Sequence, residues 1–229
     1  ETRYLIRFIY ERERKTGVFP ICVAELKQLA LMFALAVDAK SPYTLEHSLG
    51  TARVGRFLAE QAGLSPETRD KIEVAALLHD LGKLRVPDEV LEKPGPLTRA
   101  ERAVIQRHSF ETYQILSGIT GLEDIVLWAA YHHEKLDGRG YPFHRRGGEL
   151  TIEARIIAVA DVFQALAQPR PYRQPLPPVH ILEMLRAFAQ DHHLDSDLVE
   201  MIGRHLETCW RLAMDRSVAE RRPGTDAAA

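Results

Sequence analysis

The stretch Val74-Ala75-Ala76-Leu77-Leu78-His79-Asp80-Leu81-Gly82-Lys83 runs from an apolar helix directly into an imidazole and a carboxylate. Consecutive aliphatic residues leave no polar face, so this helix belongs inside a protein. Ser65-Pro66-Glu67 opens it with a cap, a first-turn proline and an acid, and Gly82 follows its end. The acid at its end therefore lies near a core, where an unpaired charge is costly.

A second apolar stretch, 152–167, is interrupted by Asp161 between Ala160 and Val162. Other helices are expected over 2–15, 24–39, 44–62, 110–117, 122–133, 179–190 and 197–214. Thr98 and Glu101 have capping-box spacing and start one more toward His108. No alternating strand pattern of useful length occurs, which makes the fold class all-α. Residues 134–150, with Gly138, Gly140, Pro142, Gly147 and Gly148, read as a long irregular loop. Loops of that length inside a domain are usually functional.

The 229 residues divide into an N-terminal helical segment or linker (1–40), a main domain (41–215) and a frayed tail (216–229). A chain 45% hydrophobic and 27% charged has globular composition. The net charge of −2 gives no electrostatic footprint for a nucleic-acid polymer. Leu29 to Val37 is the longest apolar run, far short of the ~20 residues of a membrane span. Cys22 and Cys209 form no Cys-x-x-Cys pair and read as free thiols, so a cytoplasmic location is expected. Because the first residue is Glu1, the chain reads as a piece of a longer protein.

Among ten histidines, His47, His79, His108, His132 and His133 fall at or near helices upstream of Asp161. A lone acid or histidine is commonly a cap, an ion-pair partner or a satisfied core residue. Five imidazoles with Asp80 and Asp161 match the ligand demand of a binuclear metal site. No thiolate joins them, which argues against a zinc-finger type of site. His144, His180, His192, His193 and His205 read as surface residues.

His79-Asp80-Leu81-Gly82-Lys83 resembles the core motif of the HD metal-dependent phosphohydrolases. His132-His133-Glu134-Lys135-Leu136-Asp137-Gly138-Arg139-Gly140-Tyr141-Pro142 resembles the extra motif of their HD-GYP subgroup. Ala160-Asp161-Val162-Phe163 and Arg170-Pro171-Tyr172-Arg173 resemble its downstream segment. The resemblance implies an HD-type helical bundle acting as a cyclic di-GMP phosphodiesterase, with 41–215 as the catalytic domain. It implies one metal on His47, His79, Asp80 and Asp161, and a second on Asp80, His108, His132 and His133. Iron or manganese is expected, with nickel and zinc as alternatives. Two cations ~3.5–4 Å apart sharing a water lower its pKa and stabilise both oxygens of an in-line displacement.

By the same resemblance Asp80 and Lys83 carry the chemistry, and Lys83, Tyr141, Arg170 and Arg173 face the substrate. Arginine forks suit phosphate and the guanine Hoogsteen edge. The product the resemblance implies is linear pGpG, with GMP as an expected further and slower step. Gln164 and Gln168-Pro169 depart from the family pattern, as does Tyr43, where three-metal members carry glutamate; two metals are therefore expected. The alternatives are a metal-retaining module that docks on diguanylate cyclase (GGDEF) domains, and a phosphohydrolase of another nucleotide. A homodimer through the N-terminal helices is a further expectation.

Overall fold

Capping chemistry sets where the helices begin. In the computed structural model, which describes residues 21–40, 47–168 and 175–215, Ser65 Oγ accepts from the Thr68 N–H at 3.1 Å. Thr98 Oγ1 accepts from Glu101 N–H at 3.2 Å while Glu101 Oε2 accepts from Thr98 N–H at 2.8 Å. Each such cap contributes about 1 kcal/mol.

The described helices are α1 Val23–Lys40, α2 His47–Gln61, α3 Pro66–Leu78, α4 Asp88–Leu91, α5 Arg99–Gln106, α6 His108–Leu116 and α7 Glu123–Ala130. They continue with α8 Ile152–Ala167, α9 Pro178–Gln190, α10 Ser196–Arg204 and α11 Leu206–Met214. Two 3₁₀ turns, Leu81–Arg85 and Gly147–Glu149, complete the order. No strand occurs among the described residues, and Asp137 and Arg146 form an isolated bridge. The fold is all-α, as expected.

The core lies where α2, α3 and α8 meet. Leu58, Ile72, Val74, Ile156, Ile157 and Phe163 are fully buried there. Truncating Phe163 to alanine would cost about 3–5 kcal/mol. Gly50 permits close packing of α2 on α8: a side-chain carbon at that position would overlap the Gln164 amide. Gln164 Nε2 in turn donates to the Ala213 carbonyl at 3.2 Å and ties α8 to α11. Ala30, Ala34 and Val37 bring α1 into the same core. Lys27 Nζ lies 2.7 Å from Asp70 and 2.9 Å from Glu73, fixing α1 to α3.

Two boundaries differ from the sequence expectation. The helix expected over 122–133 stops at Ala130, leaving His132 and His133 in a turn. The helix expected over 197–214 breaks at His205, where φ reaches −125°. His205 packs edge-on against Phe57 at 5.4 Å, and the bend seats Cys209 in the core. No described helix is long and apolar enough to cross a membrane.

Candidate metal centre

The His79-Asp80 pair reaches α6 because residue 82 is glycine. A side-chain carbon on Gly82 would overlap the His108 carbonyl, so only glycine lets the 3₁₀ turn pack this closely. Thr112 fixes the contact: its Oγ1 accepts from Gly82 N–H at 2.9 Å and donates to the His79 carbonyl at 3.0 Å. His79, Asp80 and His108 are thereby held together, all buried.

Three rings share one orienting device. The Nδ1 atoms of His79, His108 and His132 lie 2.7, 2.6 and 2.7 Å from the carbonyls of Ala76, Ile105 and Ala129. A carbonyl only accepts, so each Nδ1 carries the proton. Each ring thereby turns its Nε2 toward the centre, where the lone pair is free to bind a cation once Nε2 carries no proton. His132 can do so because α7 has ended; a regular helix would splay His132 and His133 by ~100°.

The carboxylates divide these rings into two sides. Asp80 Oδ2 lies 3.3 Å from His79 Nε2 and 3.9 Å from His47 Nε2. Its Oδ1 lies 3.3 Å from His108 Nε2 and 4.0 Å from His132 Nε2. Asp161 Oδ1 is 2.9 Å from His47 Nε2, and its Oδ2 is 3.8 Å from His133 Nδ1. Three ligand-competent triads result: His47-His79-Asp80, His108-His132-His133 and His79-His132-Asp161, each with ligand atoms within 4.8 Å of one another. Lys83 Nζ sits 2.5 Å from Asp80 Oδ2 at the rim.

Protonation follows from this crowding. Burial alone would lower His79, but Asp80 and Asp161 outweigh it and hold its pKa up at about 9. Burial would raise Asp80, yet the neighbouring His79 and Lys83 hold it well below the usual carboxylate range. Asp161 is likewise held down against burial, by His47 first. Burial, then repulsion from the neighbouring rings, depresses His132. Burial also depresses His133.

A cation fits this constellation. His79 Nε2 and Asp80 Oδ1 are buried without a hydrogen-bond partner, at the middle of the cluster. Orphaned buried polar atoms are costly, and a divalent ion would satisfy both. The imidazole and carboxylate donors suit iron, manganese, nickel or zinc.

The glycine-rich loop closes over one end. Buried Glu134 accepts from the N–H groups of Phe143 at 2.6 Å and Arg145 at 2.9 Å, folding the loop back on itself. Gly140 packs where a side-chain carbon would overlap the main chain of Glu134 and Lys135. Tyr141 follows, joined to Pro142 by a cis peptide bond, its ring 4.8 Å from His133 and 6.5 Å from His108.

All seven expected ligands and Lys83 thus converge, with Tyr141 beside them. Arg170, Arg173, Tyr43, Pro169, the 2–15 segment and the 216–229 tail lie outside the described residues. His144, His180 and His192 are exposed, as expected. His193 and His205 are not surface residues but half-buried; His193 faces Lys135 and Asp137, and His205 packs on Phe57. Cys22 is exposed and Cys209 buried; both are free. Thr112 shapes the site without a motif signal of its own, and Glu134, inside the glycine-rich motif, was given no role by the sequence.

A helical bundle enclosing converging imidazoles and carboxylates defines a protein built to hold divalent metal. The HD domain family matches residues 31–198, and the chain belongs to that family. It is 38% identical over 208 residues to 3'3'-cGAMP-specific phosphodiesterase 1 of Vibrio cholerae, covering 91% of this chain and 47% of the relative. It is 42% identical over 168 residues to the cyclic di-GMP phosphodiesterase response regulator RpfG of Xanthomonas campestris, covering 72% of this chain and 41% of the relative. The chain spans about half the length of the curated relatives it matches. A crystal structure of a cyclic GMP-AMP specific phosphodiesterase from V. cholerae superposes with TM-score 0.65 at 17% identity, over 86% of this chain and 52% of that one. The HD domain of L. monocytogenes phosphodiesterase PgpH, solved with cyclic-di-AMP, gives TM-score 0.59 at 20% identity, over 79% of this chain and 95% of that one. At those identities the structural likeness speaks for the fold.

Proposed function

We propose that the chain hydrolyses a cyclic dinucleotide, cyclic di-GMP first, to linear pGpG. The observation that carries this reading is the two-sided Asp80 carboxylate, one oxygen facing His47 and His79 and the other facing His108 and His132. That arrangement suits two divalent ions with Asp80 between them, iron or manganese foremost. His47, His79 and Asp161 would complete one set and His108, His132 and His133 the other. Such ions, when bound, polarise a phosphoryl oxygen and supply a nucleophilic water at neutral pH.

The chain's own residues do the rest. Lys83, with its side chain 20% exposed beside Asp80, offers a cation to a phosphate oxygen at the rim. Tyr141 lies against His133, where an aromatic wall can hold a base and exclude water. Burial pushes its phenol pKa up, so the hydroxyl stays protonated and available as a donor to substrate. Arg170 and Arg173 are assigned to phosphate or guanine recognition on their motif.

A second substrate reading is 3'3'-cGAMP, since one enzyme named for it aligns with 91% of this chain. Comparing kcat/KM for the two cyclic dinucleotides tests the choice. A ratio above one for cyclic di-GMP supports the first reading, and a ratio below one the second. Pairing of two chains through α1 would use Met32 and Phe33, which are 59% and 50% exposed, and sedimentation analysis tests it.

A further inference from the structure

The C-terminal end of α1 bonds to two segments that carry site residues, the start of α2 and the end of the 3₁₀ turn, without supplying a ligand. Asp38 is a carboxylate 1% exposed, on a helix that precedes every expected ligand. Its Oδ1 accepts from the Ser48 hydroxyl at 3.1 Å and its Oδ2 from the Ser48 N–H at 3.4 Å. Ser48 follows His47 in the first turn of α2, so the contact fixes the turn that carries His47. Two residues on, Lys40 Nζ donates to the carbonyls of Leu84 at 3.1 Å and Val86 at 2.5 Å. Those carbonyls lie at the end of the 3₁₀ turn that carries Lys83.

From this we infer that Asp38 and Lys40 are positioning residues: Asp38 seats His47 through Ser48, and Lys40 seats Lys83 through the 3₁₀ turn. The inference rests on the metal-centre reading above. Its physical basis is that a carboxylate bonded to a main-chain N–H fixes a helix start, and an ammonium bonded to two carbonyls fixes a turn. Alpha-1 is held at its other end by Lys27, Asp70 and Glu73, so the whole helix is a rigid brace.

The test measures Mn²⁺ affinity by calorimetry on the full chain, with circular dichroism to confirm folding. Ser48→Ala keeps the Asp38 charge and removes the hydroxyl contact, and it should weaken Mn²⁺ binding by about tenfold, the size of effect that orienting partners have. Asp38→Ala should weaken it further, and the double variant should be no weaker than Asp38→Ala alone. Additive losses would mean that Asp38 acts through its charge, and unchanged affinity in Ser48→Ala would mean that the contact positions nothing; either overturns the inference. For Lys40, Lys40→Met should raise the KM for cyclic di-GMP about tenfold with Mn²⁺ affinity unchanged, and Lys40→Arg should restore it. An unchanged KM in Lys40→Met overturns that half. Absence of Mn²⁺ binding by the unaltered chain would instead defeat the metal-centre reading itself.

Discussion

The Nε2 atoms of His108 and His132 face each other at 3.1 Å, while the Nδ1 of each ring is committed to a main-chain carbonyl. When neither Nε2 carries a proton, rings so placed bring lone pair against lone pair inside the protein. A cation between or beside them removes the conflict. For each site filled, Mn²⁺ at about 100 times its Kd should therefore stabilise the fold by about 2.7 kcal/mol. At this chain length that amounts to a Tm rise of about 5–10 °C in scanning calorimetry. The Asp80→Ala variant should show a much smaller rise; an equal rise would place the ion elsewhere.

Metal uptake should depend on pH through His79. Without metal its pKa stands near 9, because Asp80 and Asp161 favour the charged ring over the effect of burial. A metal binding at pH 7 must expel that proton. Raising the pH from about 7 to 9 removes the competitor, so affinity should climb about tenfold per unit and then level off. A competition titration with Mn²⁺ under anaerobic conditions checks this, and a flat profile from pH 7 to 9 would contradict it.

Tyr141 separates an enzyme from a docking module. Tyr141→Ala should reduce turnover at least tenfold and leave metal content unchanged, because the ring lies beside His133 but outside the triads. Gly140→Ala should act in the same direction, since the added carbon pushes the loop off the Glu134 main chain. Intact turnover with lost binding to a diguanylate cyclase domain would instead make the loop an interaction surface.

Arg170→Ala combined with Arg173→Ala should raise KM more than it lowers kcat. Side chains that grip the non-reacting parts of the substrate bind ground and transition states alike. Steady-state kinetics decide the matter: a fall in kcat at constant KM would assign the pair to the transition state.

Much of the architecture could be read from local patterns. Alpha-8 follows its apolar stretch from Ile152 to Ala167 end to end, with Asp161 the acid that stands out. Ser65 and Thr98 cap where their side chains allow. The end of α7 was legible only in part: adjacent His132 and His133 would splay on a regular helix, so a loosened last turn is expected there, but helical propensity runs on past Ala130 and marks no boundary. Gly82 belonged to a recognisable motif, yet its reason, contact with the His108 carbonyl, is a tertiary fact. Thr112 and Asp38 were silent for the same cause, since each bonds to groups that only the fold brings near; Glu134 stood in the glycine-rich motif, but its bonds to Phe143 and Arg145 are equally tertiary. His205 looked like a surface residue because nothing local announces Phe57.

The most direct test of a two-metal cyclic dinucleotide phosphodiesterase is a chromatographic time course of cyclic di-GMP digestion by protein of measured metal content. Unaltered chain carrying about two Mn²⁺ or iron ions should release linear pGpG early, with GMP slow to follow, because Tyr43 offers no carboxylate for a third ion. Asp80→Ala should hold neither ion and release nothing. Metal-loaded chain that leaves both cyclic di-GMP and 3'3'-cGAMP intact, or an Asp80→Ala variant that cuts at the normal rate, would contradict the account.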